Sequence, residues 1–267
     1  MKILAIFVLA GTCLLGTSFS QEKKQGYFVS FDSTRIYYEV AGKGYPVLLI
    51  HGFMNSGEDW KKIPLYNALI EKGYMVITVD QRGNGKSDKP HEPEAYANDA
   101  EAKDLMGLIH FLHLKKYSFV GYSRGSIIGA RLLVLDKRVH SAVLGGMGAD
   151  FTNPLWPRRI AFYEAMMNDS IPGFDGARKK IKDNGLDQTA LAYQQKGQPS
   201  TSAEELSRVK QNVMVICGDK DQDNGNGAEL AKLIPNAVFV TIPGNHGGAW
   251  HTPEFTTEVM AFFAKNK

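Results

Sequence analysis

Four short segments carry residues suited to nucleophilic chemistry, and each begins where an apolar run ends. Gly121-Tyr122-Ser123-Arg124-Gly125 follows the apolar run 117–120 and opens a helical pattern at 124–135. A serine on a sharp strand-to-helix turn stands clear of the sheet, and glycines at 121 and 125 let the two backbones approach. The helix start beneath it adds positive potential for a developing oxyanion. His51-Gly52-Phe53 follows the run 46–50. Gly52 lets the chain bend, so the Phe53 amide can join the Arg124 amide as a pair of oxyanion donors. His51 itself reads as a structural ring at a strand end. Gly218-Asp219-Lys220-Asp221-Gln222-Asp223 follows the run 213–217 and offers three carboxylates to fix an imidazole tautomer. Gly244-Asn245-His246 follows the run 237–242 and presents a histidine from a glycine-rich loop. His251 is the weaker candidate base, because Thr252 and Pro253 read as the cap and first residue of a helix.

These segments point to acyl transfer, with Ser123 as nucleophile, His246 as base and one aspartate orienting the base. Among the aspartates, Asp219 lies where the chain is still leaving the strand. Asp221 is far enough out to swing back toward His246. Asp223 precedes Asn224-Gly225 and suits turn chemistry or a helix cap. Phe53, Met54, Tyr122, Trp156 and Trp250 are candidates to line an apolar substrate pocket. The Arg124 side chain has two readings: attraction of an anionic substrate, or pairing with a nearby carboxylate. His110 and His113, three apart on one helical pattern, read as helix surface rather than as metal ligands.

The chain order serine, aspartate, histidine, with a serine in Gly-x-Ser-x-Gly after a strand, resembles the α/β-hydrolase superfamily over about residues 26–267. The resemblance implies that Asp221 is the acid, since the family's Gly-x-x-Asp pattern matches Gly218 and Asp221. It implies that the loop Asp80-Gln81-Arg82-Gly83-Asn84-Gly85-Lys86-Ser87-Asp88 is mainly structural. It also implies that a helical insertion caps the site. A serine nucleophile argues against the related epoxide hydrolases and haloalkane dehalogenases, which carry aspartate there. The activity expected is hydrolysis of an acyl bond in a small-molecule substrate, a carboxylic ester first, through an acyl-enzyme and without metal or cofactor. Thioester, lactone or C–C bond cleavage by the same residues is the alternative enzyme reading. A non-catalytic ligand receptor of the same fold is the alternative from another class.

The elements that must position these groups follow from the same pattern. Short apolar runs at 46–50, 74–80, 117–120, 142–144, 213–217 and 237–242 alternate with helical stretches at 60–71, 98–112, 124–135, 227–233 and 253–264. Continuous apolar strands, each followed by a helix, predict a doubly wound, mostly parallel sheet with helices on both faces. A hairpin at 27–31 and 35–40 would form an edge. Asn98 with Glu101 suggests a capped start for the second helix. From about 150 to 205 no strand is predicted, and the segment reads as a helical cap insertion.

Bulk composition agrees with one large enzyme domain, 21–267. Of 267 residues, 43% are hydrophobic and 22% charged, and the net charge is only +3. No dense basic run points to nucleic acid. Residues 1–20 have a positive start, a short apolar run and Ser18-Phe19-Ser20 before Gln21, which reads as a signal peptide and predicts an exported protein, periplasmic or secreted. The run is too short for a stable membrane span. Cys13 raises a lipoprotein reading that Ala10 and Thr12 fit poorly. Cys217 is then the one mature cysteine, expected as a buried thiol.

Overall fold

Val47, Leu48, Leu49 and Ile50 have no exposed side-chain surface, so strand β3 (Pro46–Ile50) is covered on both faces. Leu48 and Ile50 belong to one apolar cluster, and Val47 and Leu49 to another. That alternation is what a strand buried between two helical layers requires. The computed structural model describes residues 23–266. The segment expected to be a signal peptide, with Cys13, and the expected first mature residue Gln21 lie outside the described residues.

Besides β3, the sheet contains β1 (Lys23–Val29), β2 (Arg35–Ala41), β4 (Met75–Val79), β5 (Tyr117–Tyr122), β6 (Val139–Gly145), β7 (Asn212–Gly218) and β8 (Ala237–Ile242). Their order is β1-β2-β4-β3-β5-β6-β7-β8. The first two strands form the expected edge hairpin and meet the sheet antiparallel; every other pairing is parallel. One face carries α3 (Ala100–Phe111), α4 (Arg124–Leu135) and α9 (Gly227–Lys232). The other carries α1 (Gly57–Trp60), α2 (Pro64–Glu71) and α10 (Pro253–Lys265). This is the doubly wound, mostly parallel architecture that the apolar runs imply.

Two helices differ from expectation. The helix expected at 60–71 is shorter, α2 from Pro64 to Glu71, because Pro64 has no N–H to continue a helix and instead starts one; Trp60 ends the separate short helix α1. The helix expected from Asn98 begins at Ala100, with Asp99 in left-handed backbone and no side-chain cap. Glu101 does not close a capping box; it turns inward to the Arg124 guanidinium. A bidentate bond to a buried cation is stronger than a bond to one helix-start amide.

Between β6 and β7 the chain forms α5 (Pro157–Met167), α6 (Asp175–Asp183), α7 (Gln188–Lys196) and α8 (Ala203–Leu206), with no strand. The first three share a small apolar cluster containing Ala165, Met166, Ile181 and Leu191. Phe53 and Met54, from the loop after β3, pack against that cluster. The Gln194 carbonyl accepts from the Arg124 guanidinium, and the Gln194 amide donates to the Arg82 carbonyl. The helical segment between β6 and β7 is thereby tied to the loops at the carboxyl edge of the sheet. No helix among the described residues is long and apolar enough to cross a membrane.

Candidate active site

Strand register brings the four segments to one edge. Ile50 pairs with Gly121, Gly121 with Leu144, Gly145 with Ile216, and Gly218 with Ile242. The loops after β3, β5, β7 and β8 therefore leave the sheet at the same level. This is the crevice outside the carboxyl ends of the strands, where open α/β sheets bind ligands.

Ser123 stands between β5 and α4 with φ +54° and ψ −124°. A non-glycine residue adopts that backbone at a strain on the order of 1–3 kcal/mol, supported by the packing around it. The Ser123 amide donates to the Gly145 carbonyl, and the Ser126 hydroxyl donates to the Gly121 and Gly145 carbonyls. A Cβ on Gly121 would collide with the Gly125 carbonyl, and one on Gly125 with the Ile50 carbonyl. Both glycines are therefore required by the tightness of the turn.

The Ser123 Oγ lies 2.9 Å from His246 Nε2. His246 Nδ1 lies 2.9 Å from Asp221 Oδ2 and 3.1 Å from Oδ1. The Asp221 side chain is buried and that of His246 partly exposed. The competing aspartates do other things. Asp219 Oδ1 accepts from the Gly244 amide and braces the loop that carries His246. Asp223 is exposed, and its amide reaches Asp221 Oδ1 at 3.4 Å. The Tyr122 hydroxyl donates to the His246 carbonyl at 2.7 Å, and its ring stacks on Trp250. Such a chain can pass the serine proton to the imidazole while the carboxylate holds the opposite ring nitrogen.

The amides of Phe53 and Arg124 donate to no other group among the described residues. Both residues line the cavity with Ser123. Asn84 donates to the Phe53 carbonyl at 2.9 Å, which steadies that loop. Met54, Tyr122, Trp156 and Trp250 line the same cavity of about 530 Å³. His251 also borders it, just before the Thr252 cap and Pro253 start of α10. His51 is fully buried; its Nδ1–H donates to the Gly52 carbonyl and its Nε2 accepts from the Gln81 amide. Burial lowers its pKa below the usual 6.5, so it is a neutral ring pinning two loops together. Cys217 is buried, and burial pushes its thiol up to about 11. His110 and His113 are exposed on and just after α3.

The Arg124 side chain is answered by the second of its two readings. Its guanidinium is buried and bonds both oxygens of the equally buried Glu101, at 2.5 Å. The loop 80–88 is structural: Asp80 accepts from the Gly57 and Lys86 amides, and Arg82 is fully buried against Asp104 and Asp32. Sequence reading missed Asn224, whose side-chain nitrogen lies 3.4 Å from both His246 ring nitrogens and 3.2 Å from the Gly146 carbonyl. Its only signal was the Asn-Gly pair, which reads equally well as a turn. Among the described residues one set of possible metal donors lies together, Asp221, Asp223 and His246, with ligand atoms within 4.8 Å of one another. Asp221 and His246 already bond each other.

Sheet order, the strained serine turn and the loop-borne His246 and Asp221 define an α/β enzyme of the hydrolase type, and the comparisons with known proteins agree. A family model described as alpha/beta hydrolase fold matches residues 45–174. A Synechocystis sp. protein with a provisional non-heme chloroperoxidase name is 42% identical over 250 aligned positions, 80% of this chain and 89% of the relative. A non-heme chloroperoxidase of Streptomyces lividans is 38% identical over 286 aligned positions, covering 90% of this chain and 100% of the relative. The crystal structure of a bromoperoxidase from Bacillus anthracis superposes with a TM-score of 0.74 at 25% identity, over 90% of this chain and 100% of that one. The chain belongs to the α/β-hydrolase fold family.

Proposed function

We propose that this protein is a serine hydrolase that cleaves a carboxylic ester through an acyl-enzyme. The observation that carries the reading is the unbroken chain of contacts from Asp221 through His246 to Ser123, opening onto the cavity. Ser123 Oγ adds to the ester carbonyl as His246 Nε2 takes its proton, and Asp221 supports the imidazolium. The Phe53 and Arg124 amides hold the oxyanion. Collapse expels the alcohol, protonated by His246, and leaves the acyl group on Ser123. Water, deprotonated by His246, then releases the acid. The inserted helices act as the cap that walls the substrate from solvent.

A fluorophosphonate probe tests this. It should label Ser123, and Ser123→Ala should abolish the labelling and lower turnover of a 4-nitrophenyl ester by roughly a millionfold. Labelling that survives the substitution would overturn the assignment. Repeated turnover, as opposed to one slow covalent event, separates an enzyme from a receptor.

The names of the relatives favour a second reading of the same site. Hydrogen peroxide in place of water would attack the acyl-enzyme, freeing Ser123 and a peroxy acid, which can oxidise halide. Halide oxidation that requires peroxide, a carboxylic acid and Ser123 together would support it.

For residues 1–20 we propose removal on export, with the mature protein periplasmic or secreted. Sequencing the mature N-terminus should find Gln21, free or as pyroglutamate; a lipid on Cys13 would instead mean membrane anchoring.

A further inference from the structure

Among the described residues no aspartate or glutamate lines the cavity above Ser123, yet four basic residues do: Arg124, Arg158, Arg159 and Lys180. The chain as a whole is nearly balanced, with 31 basic and 28 acidic residues, so this is not a general excess of positive charge. Glu101 neutralises Arg124. The other three have no ion-pair partner among the described residues. Arg159 is half-buried and, among the described residues, donates only to the Gln198 carbonyl, at 3.2 Å. Burial, and then the charge of Arg124, lower its pKa, as expected for a cation lacking its counter-charge. Arg158 lies over the Phe162 ring, 5.1 Å from its centre. On α6, Arg178 and Lys179 pair with Asp175 and Asp183, whereas Lys180 beside them faces the cavity unpaired.

The placement of Arg159 is unfavourable in the empty protein, whereas Arg158 and Lys180 stand at the exposed rim. Arg158 and Arg159 occupy the first turn of α5, where the helix macrodipole disfavours cations, and no acidic residue shares that turn. A partly desolvated guanidinium without an anion also gives up hydration that nothing replaces. Both penalties are relieved when a carboxylate enters, because the planar guanidinium matches it with two parallel hydrogen bonds. Phe53, Trp156 and Phe162 supply apolar wall for the remainder of such a molecule.

We propose that the substrate is an ester carrying a second, anionic group, a carboxylate, which Arg159 binds with Arg158 and Lys180 while Ser123 attacks the ester carbonyl. The proposal names the substrate class of the acyl-hydrolase reading and rests on it. The carboxylate sits on either the acyl part or the leaving alcohol, and two substrate pairs distinguish these. One compares the 4-nitrophenyl monoester of glutaric acid with 4-nitrophenyl valerate; the other compares 3-carboxyphenyl butyrate with phenyl butyrate. At low salt the charged member of one pair should have a kcat/KM about tenfold higher or more, as one charge-assisted contact supplies. The preference should fall with added salt. It should collapse in Arg159→Gln and weaken in Arg158→Gln and Lys180→Gln, chiefly through KM. The ratio is taken within each variant, so partial misfolding cancels. Equal or better use of the neutral member in both pairs would overturn the proposal. Calorimetry of glutarate with Ser123→Ala, with and without Arg159→Gln, separates the two layers. Turnover without charge preference, and no glutarate binding, leaves the hydrolase reading and removes the anion site. Arg159-dependent glutarate binding without any ester turnover does the reverse.

Discussion

Asp221, His246 and Ser123 are 25 and 123 residues apart in sequence and meet within hydrogen-bond distance. The role of Asp221 can be separated from those of its neighbours by charge removal at constant size. Asp221→Asn should lower kcat about ten-thousandfold, the loss that the equivalent change causes in a serine protease, where the wrong tautomer is held. Asp219→Asn should cost far less, because its oxygen braces the Gly244 amide and does not touch the imidazole. Asp223→Asn should cost least, since that side chain is exposed. Circular dichroism establishes that each variant is folded. A folded but silent Asp219→Asn beside an active Asp221→Asn would move the acid by two residues.

At the scale of elements, the loop after β4 is anchored to α3 by one buried charge cluster. Arg82 is fully buried and bonds Asp104, which is 2% exposed, while Asp32 reaches the guanidinium from the β1–β2 turn. Asp104 also accepts from the Ser30 hydroxyl. Removing one partner of a buried pair leaves the other unpaired, so Arg82→Met should destabilise the protein by about 3–5 kcal/mol. Adding Asp104→Leu to it should recover much of that loss, because two apolar groups leave no buried charge. Urea melts of the two variants read this directly. A double variant as unstable as the single one would mean that the ion pair itself, rather than the orphaned charge, sets the stability. The same logic explains α3: its expected cap was given up because Glu101 has the buried Arg124 to satisfy.

For the whole molecule, the pH dependence of stability has a component set by His51. Its folded pKa is depressed below 6.5 by burial, so the folded state holds the ring neutral while the unfolded chain takes up a proton. Its contribution is complete above the unfolded value and is lost as pH falls below about 6.5. The comparison that isolates it is wild type against His51→Gln, in which other titrating groups cancel. The stability advantage of the wild type, read from urea midpoints, should be greatest at pH 7.5 and shrink steadily toward pH 5. An advantage that is constant or grows with acidity would refute the neutral-ring assignment.

The sequence by itself determined what is local. Gly121 and Gly125 flank a serine because the turn has no room for a Cβ, and that requirement is written within five residues. The alternation of apolar strands with amphipathic helices follows from two-sided burial, and it placed the sheet and the edge hairpin. Pro64 shows where such reading errs, since the apolar pattern runs across a residue that cannot continue a helix. What only the tertiary structure decided is pairing over distance. It set Asp221, of the three aspartates, against His246 and gave Arg124 a partner 23 residues away in Glu101. It also gathered Arg158, Arg159 and Lys180 around a cavity that no carboxylate lines among the described residues. Sequence spacing does not bring these three together, because the two arginines start α5 while Lys180 lies on α6, and only the packing of the two helices sets them around one cavity.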